Sequence, residues 1–164
     1  MIFMVRSRDH LPPHVHVLEE TEKWEARFRF SFLCNTVSLY SLEAYQSGKP
    51  SSSDLDDAIT YIKQNITVYR DEWIHKNPYT GLVYMNKTIK KNSDGTVTIG
   101  NGVKTVTQQK KRNKSRKGKR KKSNKPVPVY ITHESYNNGV VTFILSNGVT
   151  ETLKSDAGHK EDFK

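Results

Sequence analysis

Residues 21–33 read TEKWEARFRFSFL, and in this stretch Trp24, Ala26, Phe28, Phe30 and Phe32 alternate with Glu25, Arg27, Arg29 and Ser31. An apolar period of two belongs to a strand that buries one face and turns the other toward polar surroundings. The expectation is a sheet whose inner face is built from these aromatic side chains. Upstream, the apolar run at positions 1–5 reads as a first or edge strand, and downstream NTVSLYSL (35–42) can add another. The loop SGKPSSSD (47–54) then leads to a helix start. Ser53 is positioned to cap it, and Asp54, Asp56 and Asp57 favour the positive end of its dipole. Leu55, Ile59, Ile62, Ile66, Tyr69 and Trp73 recur at helical spacing on one stripe, while Asp57, Lys63, Gln64, Arg70 and Asp71 lie elsewhere on the wheel. The pattern predicts one long helix, stopped by Pro78 and laid against the Phe-rich sheet face. It runs for too few heptads to make a sustained coiled-coil seam.

RDHLPPHVHVLEE (8–20), followed by the Ala-and-Phe strand and a helix ending near Trp73, resembles a small bacterial domain family of unknown function. Its members carry a Pro-Pro-His-Val-His-Val signature and often sit beside short partner genes, in arrangements like those of toxin–antitoxin pairs. The resemblance covers positions 1–78 and implies β-strands with one long helix, without a settled activity. Typical members end soon after the helix, whereas this chain continues.

In an extended strand His14 and His16 share one face, with Val15 and Val17 on the other. Two imidazoles so spaced can grip one Zn, Ni or non-haem Fe ion, with His10, Asp9, Glu19 and Glu20 as neighbours for a third ligand. The preferred reading is a solvated strand face whose histidines form hydrogen bonds, with no metal and no other cofactor. No second pair such as His-Glu-x-x-His supports a metal-dependent enzyme. Cys34 and His75 offer a nucleophile and a base, yet nothing in the sequence fixes them together, and a lone buried cysteine serves packing. Gly-rich phosphate loops, zinc-finger spacings and kinase signatures are missing from the sequence. The expectation is a non-enzymatic protein.

The second half is dominated by hairpin signals. Strand-like runs are separated at Asp94-Gly95, Asn101-Gly102, Asn138-Gly139 and Asn147-Gly148, pairs that accept the positive φ angles of tight turns. The runs after Gly95 and Gly139 are faintly alike, consistent with a duplicated three-strand meander or with the ordinary vocabulary of hairpins.

Between these stretches lies KKRNKSRKGKRKKSNK (110–125), with eleven basic residues and no acid. They are Lys110, Lys111, Arg112, Lys114, Arg116, Lys117, Lys119, Arg120, Lys121, Lys122 and Lys125. The whole chain has 27 Lys+Arg and 17 Asp+Glu, so removing the tract leaves 16 bases against 17 acids. The net charge of +10 therefore belongs to one segment. Like-charge blocks are generally solvated linkers; the other readings are a targeting signal and a binder of DNA or RNA phosphates. With no aromatic residue inside the tract, base stacking and sequence readout are not expected, and phosphate positioning is.

Cys34 is the only cysteine among 164 residues, so no internal disulfide forms and a reducing compartment is the natural setting. The start MIFMVRSRDH lacks the pattern of a signal peptide, and no apolar run approaches a membrane span. A soluble cytoplasmic protein is expected. The sequence thus predicts an α+β fold: a sheet-plus-helix unit over 1–79, then an antiparallel β region over 80–164 that contains the tract. The expected function is that of a nucleic-acid-associated accessory protein, a helper of a larger prokaryotic defence ribonucleoprotein such as a CRISPR effector enhancer. The alternatives are an antitoxin-type module that neutralises a small toxin and, third, a metal-dependent enzyme using His14 and His16. Exposed sheet edges make a homodimer compatible with any of these.

Overall fold

The computed structural model describes residues 1–44, 48–101 and 128–163. The tract 110–125, with all eleven candidate phosphate-binding residues, and the turn at Gly102 lie outside the described residues.

Strands β1 (Ile2–Met4), β2 (His14–Glu19), β3 (Trp24–Phe30) and β4 (Val37–Ala44) form an antiparallel sheet in that order. Val15 pairs with Phe28 and Val17 with Ala26, which gathers the apolar side chains on one face. His14 pairs with Arg29, and His16 lies between Met4 and Arg27, so the opposite face is polar. The alternation of residues 24–30 sets this register, because a one-residue slip exchanges the two faces.

Helix α1 (Ser52–Gln64) begins one residue after its cap. Ser51, not Ser53, is the N-cap: its hydroxyl accepts from the Asp54 backbone N–H, and the Asp54 carboxylate accepts from the Ser51 backbone. This capping box satisfies two backbone donors reciprocally. A second helix, α2 (Ile66–Lys76), follows at once. The break is at Asn65, whose backbone lies at φ −112°, ψ 18° and whose side-chain amide donates to the Tyr61 carbonyl at 2.9 Å. Asn competes for backbone partners in this way, which favours helix ends over helix interiors. Ile62, Ile66, Tyr69 and Trp73 are buried on either side of the break, while Leu55 and Ile59 are half-buried.

Beyond Pro78 the chain is all β. It forms β5 (Thr88–Lys91), β6 (Val97–Gly100), β7 (Ile131–Asn137), β8 (Val140–Leu145), β9 (Thr150–Lys154) and β10 (Lys160–Asp162). β7, β8 and β9 make an antiparallel meander, its first turn at Asn138-Gly139, where both φ angles are positive (49° and 76°) as a two-residue hairpin requires. In the other small sheet β6 lies between β5 and β10, and β10 runs parallel to it. The third strand of the suspected first meander falls outside the described residues.

The expectation of an α+β chain built on one long helix is therefore corrected. The described residues hold ten strands in three sheets and two short helices, a mostly β fold. The apolar stripe crosses Asn65 with its spacing intact, which is why the periodicity alone overstated the helix. None of the described helices is long and apolar enough to cross a membrane.

Two features matter below. Thr88 pairs with Gly100 on one side and bridges to Tyr130 on the other, and its hydroxyl donates to the Asn101 carbonyl at 3.1 Å. The described chain on both sides of 102–127 therefore departs from the flanks of one residue. The turn at 31–34, in contrast, is a hub between distant segments. Arg70, 1% exposed, donates to the carbonyls of Ser31 (2.8 Å) and Cys34 (2.9 Å) and holds both oxygens of Asp156 at 2.9 Å. The Ser31 hydroxyl and the Tyr84 phenol both donate to Glu161, and Ser155 donates to the Phe32 carbonyl. Buried apolar residues from Val5 to Leu153 form a single cluster around this hub.

Candidate functional site

The polar face of the four-stranded sheet is roofed by the loop between β1 and β2. Asp9 is its centre. The Asp9 backbone N–H donates to the Asn77 side-chain oxygen at 2.8 Å, the Thr80 hydroxyl donates to the Asp9 carbonyl, and the Arg6 N–H donates to the Asp9 carboxylate at 3.1 Å. The Asn77 amide and the Lys76 ammonium grip the same loop through the carbonyls of Arg6 and Val5. The end of α2 thus fixes where the Asp9 carboxylate sits.

Under it lie the two histidines of β2. His14 Nδ1 meets the Pro12 carbonyl at 2.8 Å, so that nitrogen carries the proton and Nε2 presents its lone pair. Burial holds the His14 pKa below its ordinary value despite the Pro12 contact and the Asp9 charge, keeping the ring neutral. His14 Nε2 is buried without a hydrogen-bond partner and lies 3.7 Å from Asp9 Oδ1. His16 Nδ1 meets Glu25 Oε1 at 2.6 Å, and its Nε2 is 3.2 Å from Asp9 Oδ2. Glu25, 3% exposed, is held in turn by Arg6 at 3.2 Å.

Asp9, His14 and His16 place one ligand atom each within 4.8 Å of one another. The structure corrects the solvated-face reading of the pair: His14 and His16 are 1% and 2% exposed, with Tyr40, Trp73 and the β1–β2 loop packed on His14 and Asp9 and Glu25 on His16. Of the neighbours considered for a third ligand, Asp9 joins the pair. His10 is exposed, its ring 5.3 Å from that of His14; Glu19 pairs with the N-terminal amine; Glu20 faces solvent. Sequence reasoning missed Glu25. The available signal was an acid near the start of β3 on the polar face, diagonal to His16 across the β2–β3 pair.

Cys34 and His75 are not presented as a catalytic couple. The Cys34 thiol donates to the His159 carbonyl, and burial, aided by Glu161, pushes its pKa up to about 11. His75 sits exposed on α2. Such a thiol lacks the thiolate character that nucleophilic cysteines need.

Compared with family models, curated proteins and solved structures, the chain finds no match in any of the three.

Proposed function

We propose that this chain is a non-enzymatic, nucleic-acid-associated accessory protein of the bacterial cytoplasm, binding DNA or RNA phosphates through the Lys and Arg of 110–125. The observation that carries this reading is the confinement of charge: eleven of 27 basic residues lie in sixteen positions, and the remainder of the chain is close to neutral. The flanks of Thr88 support it. Gly100 and Tyr130 lie on opposite sides of that residue, two strand spacings apart, about 10 Å. The described chain therefore runs toward and away from the segment that holds the tract on neighbouring strands. Action beside a larger defence ribonucleoprotein, as a CRISPR effector enhancer acts, is part of this proposal and rests on the antitoxin-like setting that the N-terminal resemblance implies. β4, one of the two edge strands of its sheet among the described residues, exposes Leu39, Tyr40 and Leu42 and offers an edge for a strand of that partner.

The test is a set of binding titrations at several salt concentrations, wild type beside a variant with the tract's Lys and Arg replaced by Ser and Gly. With about five phosphates neutralised, the log–log salt slope is about −4.5 on duplex DNA and about −3.5 on single strands. The variant flattens the slope toward zero, and scrambling the nucleic-acid sequence changes little. Equal binding by both proteins, or binding by neither, refutes the phosphate role. Affinity capture from the native host, with and without nuclease, then separates a nucleic-acid-bridged partner from the antitoxin-type alternative.

A further inference from the structure

We propose that Asp9, His14 and His16 form a binding site for one divalent first-row transition-metal ion. The arrangement is that of a prepared coordination set. Both imidazoles direct Nδ1 outward, His14 onto the Pro12 carbonyl and His16 onto Glu25, and both turn Nε2 toward the Asp9 carboxylate. Each ligand has its own support: a backbone carbonyl for His14, a carboxylate for His16 and the Arg6 N–H for Asp9. Metal-bound histidines almost always donate their other N–H to such groups, which fixes tautomer and ring orientation.

The two carboxylate–imidazole distances are close to those a first-row ion needs, and the set as a whole, within 4.8 Å, closes on an ion with a small inward shift of the side chains. Ligands about 2.1 Å from an ion stand about 3.0 Å apart at right angles and about 3.4 Å apart at tetrahedral angles. The Asp9 oxygens lie 3.2 Å from His16 Nε2 and 3.7 Å from His14 Nε2. A purely hydrogen-bonded reading accounts for His16, which bridges Asp9 and Glu25, but leaves His14 Nε2 buried with its lone pair unused. An ion uses both nitrogens. Two imidazoles and one carboxylate suit Zn, Fe, Co or Ni; Ca and Mg prefer oxygen alone, and Cu(I) prefers the thiolate or thioether that this set lacks. Asp9 comes from the β1–β2 loop and the histidines from β2, so the ion clips the loop to the sheet.

The site is independent of the basic tract and is tested apart from it. Tag-free full-length protein is stripped with chelator, dialysed and titrated with Co²⁺, followed by visible absorption, and with Zn²⁺, followed by calorimetry and thermal melting. The expected result is saturation at about one ion per chain and a rise in Tm. Asp9→Asn and His14→Gln each lower affinity at least tenfold, and Glu25→Gln lowers it by about 10–100-fold. His75→Ala, a change at an exposed histidine outside the set, leaves the titration unchanged. Circular dichroism checks the fold of each variant; if Asp9→Asn or His14→Gln fails to fold, the wild-type stoichiometry and the Glu25→Gln shift decide. Wild type that shows no saturable binding by one equivalent, or folded ligand variants that bind as wild type does, overturns the site.

Discussion

Arg70→Met tests the hub at 31–34 directly. Methionine keeps an unbranched apolar stem in the helix and removes the guanidinium. Two carbonyls in the turn, Ser31 and Cys34, then lose donors now at 2.8 and 2.9 Å, in surroundings where Arg70 itself is 1% exposed. Taking the donor from a buried acceptor costs about 1–3 kcal/mol each. The Asp156 side chain is 37% exposed, so its carboxylate turns to water and adds at most about 1 kcal/mol. Release from guanidinium desolvation offsets part of the sum. A net loss of about 2–4 kcal/mol is expected. Asp156→Asn, which leaves both carbonyl contacts in place, is expected to cost less, about 1 kcal/mol. Urea unfolding followed by the fluorescence of buried Trp24 and Trp73 measures both. Arg70→Met within about 1 kcal/mol of wild type at unchanged m-value, or costing less than Asp156→Asn, refutes the assignment of the hub's stability to the carbonyl contacts.

Three further outcomes are expected. Ile62 is fully buried, so Ile62→Asp places an unpaired charge in the core and lowers stability by about 4 kcal/mol or more; an unchanged thermal melt contradicts that placement. With its pKa near 11, the Cys34 thiol is about one part in a thousand thiolate at pH 8, so Ellman's reagent labels it only after unfolding; rapid labelling of the native protein refutes this. Asp54 is held below its ordinary value of 3.8 by hydrogen bonds from the Ser51 side chain and backbone. Its contribution is therefore present above that ordinary value and lost as the pH falls through the lowered one. Ser51→Ala should move the Asp54 titration upward by NMR and weaken the helix start by about 1 kcal/mol at pH 7; an unmoved titration rules out the capping box.

Short-range signals in the chain were legible wherever one residue type decides a local conformation. The alternation from Trp24 to Phe30 gave the strand and its inner face, and Asn138-Gly139 gave its turn. The helix break was hidden because Ile62 and Ile66 keep the four-residue spacing across Asn65, where the non-helical backbone and the Asn side chain's bond to Tyr61 mark it. Long-range pairings left no local trace. Nothing around residues 160–162 announces a parallel partner at 98–100, since parallel pairing depends on what the intervening chain permits. The histidine pair was visible as a spacing. Its burial was not, because the roof depends on Asn77 and Thr80 holding Asp9 across some seventy residues.

The hub at 31–34 also sets an order of events during synthesis. Its partners at Ser155 and Glu161 follow Phe32 and Ser31 by 123 and 130 residues. At a translation rate of about 5–20 residues per second, the turn waits about 6–26 s for them after it is made. Through that interval the Phe32 carbonyl and the Ser31 hydroxyl must find water or a chaperone, even though the sheet around them can already pair. The nascent chain therefore passes through a stage with its first sheet built and its centre still unlatched, and the segment carrying β10 closes the latch.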